Sequence, residues 1–160
     1  MRKFVAAASL STAICLLALV ACRCGADPSQ QEPLAERILR ISDHKVLALS
    51  DILEDLKAVR LVFVGELHNE PQHHQAQLAV IKALHEARLA LAVGLEMFQK
   101  ESQDVLNHWV AGTLADKDFQ KVYYSNWGYP WPLYSDIFWY ARRNNIPMIG
   151  PVSYTHLRAH

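Results

Sequence analysis

Two apolar runs in this chain each end in a carboxylate, one of them with a histidine two residues on. Leu61-Val62-Phe63-Val64 leads into Gly65-Glu66-Leu67-His68-Asn69-Glu70, and the run from Leu89 to Leu95 leads into Glu96-Met97-Phe98. A carboxylate in such a place can serve as a general base, and an imidazole as a ligand or proton shuttle. In an extended chain Glu66 and His68 face the same side, and Gly65 allows close approach of a ligand. Taken singly, either carboxylate reads more simply as a helix cap or an ion-pair partner. Together with His68 they form a polar cluster that is costly to bury without a use.

Further imidazoles and phenols surround this motif in sequence. His73-His74 opens a helical stretch and reaches the same rim if the turn Asn69-Glu70-Pro71-Gln72 folds back over it. His74 also shares a helix face with Leu78, Ile81 and His85, which fits a hydrogen-bonded residue at the edge of the core equally well. The spacing does not match a local zinc protease signature, since no His-Glu-x-x-His occurs. An oxygen-rich divalent metal site built from Glu66, His68 and Glu96 stays open as an alternative. Tyr123, Tyr124, Trp127, Tyr129, Trp131, Tyr134, Phe138, Trp139 and Tyr140 crowd one stretch. Most of these read as core packing, with Tyr134 and Phe138 at helix spacing, although a tyrosine oxygen can ligate haem iron.

The elements that position these groups alternate in type. Ser50 is placed to cap a helix from Asp51 to about Ala58, with Asp51 in its first turn. Leu61–Gly65 reads as a strand buried on both faces, Gln72–Arg88 as a helix with a broad apolar face, and Leu89–Leu95 as a second buried strand. That order is one βαβ unit, with its two strands parallel. Helices follow over about 101–111, 117–123 and 132–144, and Ile146–Gly150 begins a third strand. The fold class expected is α/β, a parallel sheet flanked by helices and C-terminally truncated. Ligands of such sheets bind beyond the carboxyl ends of the strands, so Glu66, His68 and Glu96 are expected to meet at one rim.

The 160 residues carry 16 basic and 16 acidic side chains, and 51% of them are apolar. A zero net charge argues against nucleic acid as partner, and the apolar content against disorder. Met1-Arg2-Lys3 and the apolar stretch Phe4–Ala21 read as a bacterial secretory signal (1–21) ending in the lipobox Leu19-Val20-Ala21-Cys22. Cys22 is then the lipidation site and 22–34 a lipidated tether. Arg23 after the cysteine favours the outer membrane as destination in the cell envelope. Cys15 leaves with the signal and Cys24 stays alone, so no disulfide is drawn. Residues 35–151 are expected to form the folded part, and 152–160 to be a non-native tail resembling a translated adapter sequence.

The run Phe63 to Glu70, then His73-His74-Gln75, Gly94 to Phe98, Leu106-Asn107-His108-Trp109 and Trp127 through Tyr140 resembles the ChaN-type haem-binding lipoproteins of the Tiki superfamily. The resemblance spans about Ile38 to Pro151. It implies a surface lipoprotein of haem or iron uptake or storage, more a haem carrier than an enzyme, with cofacial haems at a homodimer interface. It also implies tyrosine ligation of iron, histidine contact and the service of an outer-membrane haem receptor. Carried onto this sequence, the haem contacts are His68, His73, His74 and Tyr134, with Tyr134 the candidate iron ligand and Tyr129 and Tyr140 behind it. Family members continue past the Ile-Pro-x-Ile-Gly strand. The rival expectation is a metal-dependent hydrolase, as in the Tiki and TraB-type proteases and erythromycin esterases of the same superfamily, with Glu66, His68 and Glu96 as its catalytic residues.

Overall fold

The computed structural model describes residues 37–150. The signal segment 1–21, Cys22 and its tether, and the tail 152–160 lie outside the described residues.

Strands β1 (Arg37–Arg40) and β2 (Lys45–Ala48) pair antiparallel, Arg37 opposite Ala48 and Arg40 opposite Lys45. Asp43 ties their turn by accepting from the Arg40 guanidinium at 2.8 and 2.7 Å, and His44 takes a left-handed φ of 55°. No alternation announces this hairpin in the sequence, since its apolar residues come as the adjacent pairs Ile38-Leu39 and Val46-Leu47. Helix α1 (Leu49–Ala58) starts before the expected cap. Ser50 therefore lies inside its first turn, and Asp51 caps instead by accepting from the Ala48 N–H at 2.9 Å.

The segment from Leu61 to Gly65 is the main departure from the expected architecture. It forms no strand, and Leu61 and Phe63 are 67% and 87% exposed. A strand exists only through ladder partners, and this run has none among the described residues; Gln77 Nε2 donates to the Val64 carbonyl at 3.2 Å. The expected βαβ unit is accordingly absent. Helix α2 (Pro71–Glu86) follows, with proline in the first turn where its missing N–H costs nothing.

The parallel pairing that does form joins β3 (Val93–Gly94) to β4 (Met148–Ile149), Val93 opposite Met148 and Gly94 opposite Ile149. Between them run a 3-10 turn (Lys100–Ser102), α3 (Gln103–Val110), α4 (Asp116–Asn126) and α5 (Trp131–Arg143). The chain is thus mixed α/β, with a two-stranded parallel sheet and a separate antiparallel hairpin. At Gly150 an added Cβ would sit 2.5 Å from the Gln99 carbonyl oxygen, so the chain leaving β4 needs glycine there.

The core gathers on α5. Phe138 and Ala141 are fully buried on it, against Trp109 of α3 and Phe119 and Tyr123 of α4. Trp109 stacks on Phe119 with centroids 4.1 Å apart and donates its indole N–H to the Phe138 carbonyl at 3.1 Å. This is the core stripe that helix spacing announced. One turn before Phe138, the same face of α5 carries Tyr134 towards Glu66.

Candidate functional site

Local bonds fix the loop carrying Glu66 to the start of α2. Leu67 N–H donates to His73 Nδ1 at 2.8 Å, Glu70 N–H to the Leu67 carbonyl and His73 N–H to the Glu70 carbonyl, both at 3.0 Å. The turn 69–72 therefore folds back as anticipated. His73 ends up holding backbone, while His74 turns inward and is 3% exposed.

Glu66 is the hub of a polar cluster and its side chain is nine-tenths buried. The Tyr134 hydroxyl donates to Oε1 at 2.5 Å, and His68 Nδ1 lies 2.7 Å from the same oxygen. His74 Nδ1 is 2.8 Å from Oε2, close enough for an ion pair but poorly aligned for a hydrogen bond, so both atoms lack a hydrogen-bond partner among the described residues. His74 Nε2 contacts the His68 carbonyl oxygen at 3.1 Å, and the His74 and Tyr134 rings pack with centroids 4.2 Å apart.

Burial alone would raise the Glu66 pKa, but the bonds from Tyr134 and His68 and the charge of His74 outweigh it and hold the carboxyl below its ordinary value. Burial and the neighbouring Glu66 act together on Tyr134, pushing its phenol up. Tyr134 therefore stays a phenol whose hydrogen is committed to Glu66. With 2% exposure, it presents no free oxygen to a ligand.

The outer side of the cluster is aromatic. The His68 ring, its side chain 32% exposed, packs against Trp127 and Tyr129 with centroids 4.9 and 4.8 Å away. Trp127 carries a buried indole N–H without a hydrogen-bond partner among the described residues, although it lies near enough to Tyr134 to moderate that phenol's upward shift. Tyr129 is 36% exposed. Its loop is held by Tyr123, which donates to the Tyr129 carbonyl at 3.0 Å, and by Tyr124, which accepts from the Trp131 N–H at 3.0 Å. Tyr140 belongs elsewhere, bonded to His85 Nδ1 at 3.0 Å.

Of the residues singled out in the sequence, the structure brings together Glu66, His68, His74 and Tyr134. It does not bring Glu96 to them: Glu96 is exposed in the turn after β3 and has no hydrogen bond or ion pair with Glu66 or His68. The shared rim expected for the two carboxylates fails because the run before Glu66 is not laddered to β3. Among the described residues no group of three or more His, Cys, Asp or Glu side chains could hold a metal ion, which leaves the divalent-metal site unsupported. Sequence reasoning missed Gln77, the direct Tyr134–Glu66 bond and the part played by Trp127. Aromatic crowding was the available signal for Trp127, whereas nothing local announces a bond between residues 68 positions apart.

A fold of small sheets and helices with a buried carboxylate–histidine cluster under an aromatic rim defines the class of site. A family model described as haem-binding uptake, Tiki superfamily, ChaN matches residues 52–153, and the chain belongs to that family. No curated protein and no solved structure matches it.

Proposed function

We propose that the chain binds haem at the rim formed by His68, Trp127 and Tyr129. The reading rests on one observation above all, a partly exposed imidazole between two aromatic rings and backed by a buried carboxylate, in a chain of a haem-binding family. The residues present fit such a group. Flat rings suit a porphyrin face, and imidazole nitrogen and phenol oxygen are both donors that haem iron accepts. Of Tyr129, Tyr134 and Tyr140, Tyr129 is the one whose hydroxyl has no hydrogen-bond partner among the described residues, since Tyr134 donates to Glu66 and Tyr140 bonds to His85. Tyr134 then acts from behind the rim by fixing Glu66. Bound haem supplies the redox-active iron; the protein's own residues bind it, orient it and exclude water from one face.

The same reading makes the chain a carrier or store in iron uptake rather than an enzyme, lipidated at Cys22, anchored in the bacterial envelope at the outer membrane, dimeric, and serving a haem receptor. The lipobox supports the anchor. Labelling with a radioactive fatty acid in a bacterial host, abolished by Cys22→Ala, tests it.

Titrating the full chain with haemin tests the central claim. A saturable Soret change in the wild type that weakens at least tenfold in Tyr129→Ala and persists in Tyr140→Phe is the expected result. A wild type that binds no haemin, or binds it unchanged after Tyr129→Ala, defeats the rim as the haem site.

A further inference from the structure

His68 has two ring nitrogens, and the geometry around Glu66 decides which one carries hydrogen. Oε1 lies 2.7 Å from His68 Nδ1 and 2.5 Å from the Tyr134 hydroxyl. A carboxylate oxygen approached by two such groups accepts from both, so His68 Nδ1 is a donor. The other end of the carboxylate sets the proton count. His74 Nε2 faces the His68 carbonyl, which can only accept, and is therefore protonated. His74 Nδ1 and Glu66 Oε2 are 2.8 Å apart, both buried and without another partner among the described residues. Two bare lone pairs at that distance repel, and one proton between them turns the contact attractive. Whichever of the two atoms holds it, Oε1 remains an acceptor.

We infer that Glu66, positioned by His74, holds His68 as the Nδ1–H tautomer, so that its bare Nε2 meets the metal-bearing face of a haem and not the anionic propionate edge. The ligand in this inference rests on the haem reading above; the tautomer does not. Nε2 lies on the side of the ring away from Glu66, has no hydrogen-bond partner among the described residues, and belongs to a side chain open to solvent between Trp127 and Tyr129. A carboxylate brought there would face a lone pair and be repelled, whereas a Lewis acid is attracted. A carboxylate behind a histidine fixes tautomer and ring direction in this way at metal centres generally.

Long-range nitrogen–proton correlation spectra of the haem-free full chain, labelled at histidine, read the tautomer directly. His68 is expected with Nδ1 protonated and Nε2 bare, and His74→Leu is expected to give a mixture of both tautomers. A wild-type His68 protonated at Nε2 overturns the inference, and so does a His74→Leu chain whose His68 pattern is unchanged. If His74→Leu does not fold, the wild-type spectrum still decides the tautomer. The ligand arm compares haemin with haemin dimethyl ester, which has no free propionates. His68→Gln should weaken both by a similar factor of ten or more; a loss confined to haemin assigns His68 to the propionates and overturns the inference. Absent haemin binding in the wild type, with the expected His68 spectrum, defeats the haem reading alone and upholds the tautomer.

Discussion

Helix α5 serves two regions built on opposite rules, and one turn separates them. Phe138 sits in a core where Trp109, Phe119 and Tyr123 are fully buried and contact is governed by volume and ring geometry. Tyr134 sits where a polar bond decides the arrangement: it donates to Glu66, which also holds His68, while its ring packs on His74 and Trp127. The first region tolerates a swap that keeps shape. The second does not, because a buried polar atom that loses its partner keeps its desolvation cost. The proposed haem rim lies beside the second region, and the packed core next to it supplies the rigidity.

Substitutions on the two sides of that boundary should differ in kind. Phe138→Ala should have the largest effect, a loss of about 3–5 kcal/mol of unfolding free energy in denaturant titration, from the buried ring and the cavity it leaves. A smaller loss would mean that the core is less tightly packed than its burial indicates.

Glu66→Ala should cost less, about 1–3 kcal/mol by the same measurement, since it strips buried partners from His74 and Tyr134. Its companion effect should be a changed haemin spectrum, which Phe138→Leu would not share.

Acid should separate the regions next. Glu66 has a folded pKa below its ordinary 4.5, so its contribution is present above 4.5 and fades as pH falls through the lowered folded value. Melting temperatures of wild type and Glu66→Gln should therefore differ at neutral pH and converge well below 4.5. A gap that persists in acid would show that shape, not charge, is what Glu66 supplies.

The smallest effect belongs to Phe63→Ser. With 87% of the residue exposed, unfolding free energy should change by less than about 0.5 kcal/mol, although in sequence Phe63 looks as much a core residue as Phe138. A loss of several kcal/mol would place Phe63 in a packed environment.

That pair of phenylalanines marks the limit of local reading. Helix spacing put Tyr134 and Phe138 on one face, and α2, α3, α4 and α5 start and stop within a few residues of the ranges read from the sequence. Strand formation was less legible: Leu61–Gly65 has a strand's composition without a partner, while β1 and β2 pair without any alternation to announce them. At the site, Glu66 and His68 were readable as a pair because they lie two residues apart. His74 was readable only as one of two alternatives, and Glu96 was placed wrongly because its position depended on a pairing that does not form.

The sequence by itself determined the residue types that can exchange protons or ligate iron, the helices that carry them and the family they belong to, since each depends on local order along the chain. The tertiary structure alone decided that Tyr134 reaches Glu66, that His74 faces inward and His73 does not, and that Trp127 and Tyr129 flank His68. Those contacts join α5 and the loop before it to a segment more than 50 residues earlier. Burial and partner geometry, which exist only in the folded chain, then hold the Glu66 carboxyl below its ordinary range and push the Tyr134 phenol up.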